Sequence, residues 1–312
     1  MEKQLIQHLK DLVSINSVNP DLSELGQGEK QIAEFVHNHF MQLNIDSKVH
    51  IIKDDRCNTT AFLSGENPEK ILLLNGHLDT VGIEKMQDPF LVKSDGDRLY
   101  GRGTYDMLAG CAIQMALATF FSKNSCPISL AFTFVADEEN MSLGMEHLVE
   151  NYLPSLPSKP FLGIFMEPTE EVIGISHKGY TWYELKIEGL AAHGSRPEQG
   201  INAIFPMEFA LAELSKINEE LLHAEPHPHL GHATLHPGMI SGGTAQSVIA
   251  AEATIKWERR TLPGETNKKL DEELQRVVSA VLKAPGDHKV TGNQIYSRPP
   301  NEAKNNPMIE LL

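Results

Sequence analysis

The residues best suited to chemistry in this chain are imidazoles and carboxylates that follow short apolar runs. The apolar run 71–74 leads into Asn75-Gly76-His77-Leu78-Asp79. A glycine-rich turn, Gly101-Arg102-Gly103, comes just before Asp106. The run 128–135 leads into Asp137-Glu138-Glu139, and 161–165 leads into Glu167-Pro168-Thr169. One imidazole with several carboxylates suits Zn²⁺, Co²⁺ or Mn²⁺, and oxygen-rich ligation favours a pair of ions over one. Such a pair activates water and polarises a carbonyl. In His77-x-Asp79, a carboxylate accepting the second ring N–H would fix the tautomer and make the ligand more basic. Of the adjacent Glu138 and Glu139, one can ligate metal while the other handles a proton as general base.

The elements needed to position these groups can be read from periodicity. Residues 2–15, 29–43 and 107–121 have helical spacing, and 48–52 and 60–63 are β-rich. The unbroken apolar run 71–74 predicts a strand buried on both faces, and 128–135 and 161–165 are two further buried-strand candidates. Strands alternating with helices predict an α/β layered domain, and in open α/β sheets ligands collect at the carboxyl ends of strands. After Lys178 the pattern changes. Residues 181–187 alternate with period two, 201–222 and 265–282 have helical spacing, and 248–257 forms a strand pattern. This order predicts a small inserted α+β domain at about 179–286.

The length of 312 residues favours two domains, and 41% hydrophobic residues is enough to bury a core. A formal net charge of -15 argues against nucleic acid, which needs a basic face. Cys57, Cys111 and Cys126 are too few and scattered for a disulfide framework or a cysteine-rich zinc module, so reduced thiols and a cytoplasmic address are expected. The amphipathic N-terminus, charged throughout, is not a signal peptide, and no apolar run reaches the roughly 20 residues of a membrane span.

Several segments together resemble one family. They are GHLDTV (76–81), DPF (88–90), LYGRGTYDM (99–107), DEE (137–139), MEPT (166–169), HKG (177–179), GLAAHGSRPEQGINAI (189–204) and GGTAQSVIAAEATIKWERRTLPGE (242–265). In this order they resemble the acetylornithine deacetylase, succinyl-diaminopimelate desuccinylase, aminoacylase and carboxypeptidase G2 family of metallopeptidases. The resemblance implies a zinc-exopeptidase-like α/β catalytic domain with a mixed sheet, and an inserted ferredoxin-like lid through which two copies dimerise. Residues 1–178 would be the first part of the catalytic domain, 179–286 the lid, and 287–312 the start of a return to the catalytic domain. It implies two divalent metal ions, most simply zinc. His77 and Glu167 would bind one ion, Asp106 would bridge, and Glu139 would bind the other. Asp79 would orient His77 and Glu138 would be the general base. His193 would stabilise the oxyanion, Arg260 would hold a substrate carboxylate, and Asn202 would lie near the substrate or the lid hinge.

The resemblance implies removal of an acyl group from a small N-acyl amino acid by a metal-activated water. A di- or aminopeptidase acting on short peptides is the alternative within the family, and a truncated non-catalytic remnant dimerising through the lid is the alternative outside it. The family's last metal-binding histidine belongs to a C-terminal segment that should begin near Asn306–Leu312, and no histidine follows His288. Leu108 and Ala109 stand where the family usually has lysine and glycine, and Ser247 and Ala250 where it has asparagine and proline. His223, His227, His229, His232 and His236 lie among prolines without helical spacing and read as a surface loop. Gly101-Arg102-Gly103 lacks the continuation of a phosphate-binding loop. For Arg260, the adjacent Arg259 is a rival that residue spacing alone does not eliminate.

Overall fold

The computed structural model describes residues 2–303 and divides into two compact units, Met1–Val172 and Ile173–Leu312. In the first unit, α1 (Glu2–Val13) and α2 (Lys30–Gln42) each bury one stripe: Leu9, Leu12 and Val13 from α1, and Ile32, Ala33, Val36 and Phe40 from α2. The strands β1 (Asp46–Lys53), β2 (Arg56–Leu63) and β3 (Asn67–His77) follow. A small hairpin, β4 (Lys93–Asp95) and β5 (Arg98–Tyr100), precedes α3 (Leu108–Phe121). Then come β6 (Ile128–Val135), the short α4 (Leu143–His147) and β7 (Leu162–Phe165).

The five-stranded sheet runs β1-β2-β6-β3-β7. β3 lies parallel to β6 and β7, whereas β1/β2 and β2/β6 are antiparallel, so the sheet is mixed as expected. β6, with sequence ISLAFTFV, is buried along nearly its whole length because it sits between two neighbours and under helices. Parallel pairing sends β3 and β6 out of the same edge, in register from Ile71/Ser129 to His77/Val135. That register places the His77 and Asp137-Glu138-Glu139 segments side by side.

The second unit contains β8 (Ser176–His177), β9 (Gly179–Glu188), α5 (Met207–His223), β10 (Thr234–Gly242), β11 (Glu252–Thr261), α6 (Asn267–Val281), β12 (Lys289–Arg298) and β13 (Asn301–Glu302). Its antiparallel sheet runs β10-β11-β9-β12. Tyr183, Leu185, Ile187, Ile255 and Trp257 face α5 and α6, where Ala210, Leu214, Leu274 and Val277 complete the core. Thr266 caps α6, its hydroxyl accepting from the Lys269 N–H.

Several boundaries differ from the sequence expectation. The helix predicted from 201 begins at Met207, because Asn202 Oδ1 instead accepts the Ile204 N–H in a turn at 2.8 Å. The strand predicted at 248–257 spans Glu252–Thr261. β10 takes in His236 and Pro237 from the segment read as a loop; it is an edge strand whose register shifts at Pro237/Met239, and proline is tolerated only on edges or bulges. β12 pairs with β9 along 289–298, so the sheet of this unit continues past residue 286. The segment at 306–312, expected to open the return to the catalytic domain, lies outside the described residues. Cys57, Cys111 and Cys126 are free and buried. Among the described residues, no helix is long and apolar enough to cross a membrane.

Candidate active site

His77 ends β3 with its side chain 1% exposed. Its backbone is clamped by α3: Met107 Sδ accepts the His77 N–H at 3.2 Å, and the Cys111 thiol donates to the His77 carbonyl at 3.2 Å. This close approach requires Gly76, since an added Cβ would lie 2.8 Å from Met107 Cε. The ring is fixed by Nδ1, which lies 2.8 Å from the Asp79 carbonyl oxygen. A carbonyl only accepts, so Nδ1 donates there, and Nε2, facing Asp106 Oδ1, is the ring nitrogen that a cation would take in place of a proton.

Three carboxylates surround Nε2. Asp106 Oδ1 lies 3.1 Å from Nε2, while Glu138 Oε2 and Glu167 Oε2 each lie 3.8 Å away. Donor atoms of His77, Asp106 and Glu167 all fall within 4.8 Å of one another. Burial pushes the Glu139 and Glu167 carboxyls up to about 7; His77 opposes the rise and neighbouring carboxylates add to it. Glu138 is raised by the same burial. His77 moves up too: burial alone would lower it, but hydrogen bonds to Asp106 and Asp79 dominate. An imidazole nitrogen facing several crowded carboxylates, able to exchange its proton for a metal ion, is a donor set that fits a divalent cation.

Asp79 acts more widely than its expected role. Its carboxylate lies 3.5 Å from His77 Nδ1, and it also accepts the Glu138 N–H at 3.0 Å and the Glu139 N–H at 3.2 Å. One carboxylate therefore holds both the β3 and β6 loops. Below it sits a network that sequence reading missed. Asn19 Nδ2 donates to Asp79 and to Asp137 Oδ1. Arg56 donates to Glu29 through Nε and Nη2 at 2.8 and 2.9 Å, and to Asp137 at 2.7 Å. Asn19, Glu29 and Asp137 are fully buried. The network supports Asp137 at φ 63, a left-handed conformation that turns the chain straight after β6. Arg56 follows Asp54-Asp55 and Glu29 precedes Lys30, so both read as surface charges, and no spacing rule links positions 19, 29, 56 and 137.

Comparison with known proteins places this site in a family. The family described as "Peptidase dimerisation domain" matches residues 175–285, and "Peptidase family M28" matches 58–166. The acetylornithine deacetylase of Vibrio atlanticus is 30% identical over 291 residues, covering 90% of this chain and 75% of the relative. The chain belongs to the M20 family of metallopeptidases. Its fold agrees: a tripeptidase from Staphylococcus aureus superposes with TM-score 0.76 at 20% identity, over 99% of this chain and 79% of the other. A dinuclear metal-binding M20 peptidase from Bacillus subtilis gives TM-score 0.67 at 13% identity, over 96% and 75%. The chain is thus a hydrolase of the amide-cleaving class.

The remaining expected residues of this M20 chain lie in its second unit. His193 is exposed; its Nδ1 accepts the Ser195 N–H at 3.2 Å and lies 2.8 Å from Ser195 Oγ, which leaves the ring proton on Nε2. Asn202 spends its carbonyl on the turn before α5. The two arginines part company. Arg259 is fully buried and tied to Glu265 and Glu273, whereas Arg260 points to the other face with its side chain 45% exposed.

Proposed function

We propose that this chain is a metal-dependent amidohydrolase that removes the acyl group from a small N-acyl amino acid. The observation that carries this reading is the convergence of His77 Nε2, Asp106 and Glu167 within 4.8 Å, with Glu138 Oε2 3.8 Å from the same nitrogen. Similarity to the Vibrio atlanticus acetylornithine deacetylase favours deacylation over peptide cleavage.

In this reading, His77, Asp106 and Glu167 would hold one divalent ion, and Glu139 with Asp106 a second. Zinc is the first choice, with cobalt and manganese as alternatives. When bound, the ions would supply Lewis-acid activation of water and of the scissile carbonyl. Glu138 takes the water's proton and later returns it to the leaving amine. Asp79 keeps His77 in its ligating tautomer. His193 donates Nε2–H to the oxyanion, and Arg260 receives the substrate carboxylate on its planar fork. Asn202 sets the geometry near the substrate or the lid hinge. The catalytic domain is read as 1–178 and the lid as beginning at 179, with its sheet extending beyond 286 through β12. Dimerisation through the lid and a cytoplasmic address complete the proposal.

The test is acetate release from N-acetyl amino acids, beside amine release from dipeptides, by zinc-loaded protein. The reading expects N-acyl substrates to be faster, and Glu138→Gln to lose about 10²–10⁴ in kcat with zinc content retained. Faster dipeptide turnover would transfer the site to the peptidase alternative. No hydrolysis of either class by protein holding two ions would favour the non-catalytic remnant.

A further inference from the structure

The helix α3, LAGCAIQMALATFF, is apolar except for Gln114 and Thr119, and Gln114 is fully buried. A primary amide brings two N–H donors and a carbonyl acceptor, and burying it is costly unless the protein pairs them. In the orientation its neighbours dictate, the Gln114 amide donates to the Leu74 carbonyl and accepts the Gly76 N–H, both at 3.2 Å. Both partners belong to β3, three residues and one residue before His77.

This pair of bonds completes a grip on the end of the strand. Met107, Cys111 and Gln114, spaced four and three residues apart, fall on one side at the start of α3. A Cβ on Gly76 would lie 2.8 Å from Met107, 3.0 Å from the Gln114 amide and 3.2 Å from Cys111, so all three side chains press on the same backbone. The Met107 and Cys111 bonds to His77 run through sulfur, a weak acceptor and a weak donor, which leaves the amide as the strong member of the three. From β6, the Thr133 hydroxyl donates to the same Leu74 carbonyl at 2.9 Å and accepts the Asn75 Nδ2–H at 2.8 Å. Helix and strand therefore meet at one carbonyl of β3. The grip matters because β7 pairs with β3 only as far as Asn75. Gly76 and His77 have a strand neighbour on the β6 side alone, and α3 supplies contacts that a second strand would otherwise make.

We infer that Gln114 is a positioning residue for the metal centre: by holding the Leu74–Gly76 backbone it sets the peptide that enters His77 and so aims Nε2 at Asp106 and Glu167. The inference rests on the reading of His77 as a metal ligand. Pairing with β6 fixes where along the sheet His77 sits, and the amide fixes the tilt of the last peptides, to which the direction of the imidazole is tied. Groups that orient a ligand without touching the metal typically change affinity by about 10–100-fold when removed, and Gln114, acting through the main chain, belongs at the lower end.

The test is zinc affinity of the full chain, measured by competition with a chromophoric chelator, beside the visible absorption of the cobalt(II)-loaded protein, which reads ligand geometry. Gln114→Leu roughly keeps the volume and deletes both bonds. It is expected to bind zinc about tenfold more weakly, to shift the cobalt bands, and at saturating zinc to lower kcat about tenfold with KM changed about twofold or less. Gln114→Met, unbranched like the parent side chain, serves if the leucine variant fails to fold. Thr119→Val is the control, since it removes a buried hydroxyl that donates to the Met115 carbonyl further along α3. It should lower the urea midpoint and leave zinc affinity and the cobalt spectrum as in the parent. Parent-like affinity and spectrum in Gln114→Leu or Gln114→Met would overturn the inference, with a lowered urea midpoint marking an amide that serves stability alone. An equal loss of affinity in Thr119→Val would overturn it too, because any weakening of α3 would then act the same way. A parent that binds no zinc would remove the metal-site reading and this inference with it, whereas zinc bound equally by parent and Gln114 variants would remove this inference alone.

Discussion

The Asn19 side-chain amide donates to the Asp79 carboxylate across 2.9 Å although the two residues are 60 positions apart. The same nitrogen lies 3.1 Å from Asp137 Oδ1, so a single NH₂ group ties the loop after β3 to the loop after β6. Asp79 in turn accepts the N–H groups of Glu138 and Glu139. Asn19 is therefore placed to transmit order to Glu138, the proposed general base, and to Glu139, a proposed metal ligand, without touching substrate.

Asn19→Ala should leave two buried carboxylates short of a donor. Residues that orient ligands from outside typically cost about 10–100-fold in activity or metal affinity when removed. A drop of that size in kcat, with KM changed about twofold or less, is expected from steady-state kinetics. Asn19→Asp should be worse, since it adds a third carboxylate to the pair.

Arg56→Met should be strongly destabilising, because it leaves Glu29 and Asp137 buried without their cation. Breaking a buried pair from one side costs about 3–5 kcal/mol, readable as a lower urea midpoint. Arg56→Met with Glu29→Gln should recover part of the loss, since one uncompensated charge is removed with its partner.

Metal removal should lower thermal stability as well as activity. A ligand that binds only the folded state stabilises by about 2.7 kcal/mol at 100 times its Kd. A chelator should thus reduce Tm, and excess zinc should restore it. Asp106→Asn and Glu167→Gln should each shrink that difference. An unchanged Tm on chelation and reloading would count against the proposed site.

The acid limb of stability should depend on Glu265. Burial alone would raise this carboxyl, but hydrogen bonds from Arg259, Lys269 and the Leu262 N–H hold it below its ordinary value. A depressed folded pKa means the contribution is fully present above the unfolded value of about 4.3 and is lost as pH falls through the folded one. Urea midpoints between about pH 3 and pH 6 should fall less steeply for Glu265→Gln than for the parent.

His77, Asp79, Glu138 and Glu167 were legible as candidates because the parallel strands β3, β6 and β7 deliver whatever follows them to one edge, and Asp106 was legible from the glycine-rich turn ahead of α3. Apolar runs ending in His or acidic residues announce such an edge from local pattern alone. β10 and β12 were not legible. Edge strands need no alternation of buried and exposed residues, and Pro237 and Gly292 weaken their β signal further.

The sequence by itself determined the main strands and helices of the first unit, though not β4, β5 or α4, together with the family and the identity of the converging donor groups. Each is written in residue types at short, fixed spacings. Only the tertiary structure decided which of Arg259 and Arg260 is outward, since strand parity has meaning only once one face is covered by helices. It also decided that His77 Nδ1 is held by the Asp79 backbone, and that Asn19, Glu29, Arg56 and Asp137 form one network. Those relationships join side chains tens of residues apart. They exist because packing removes water from around the groups, so each must find its partner wherever the fold has brought one.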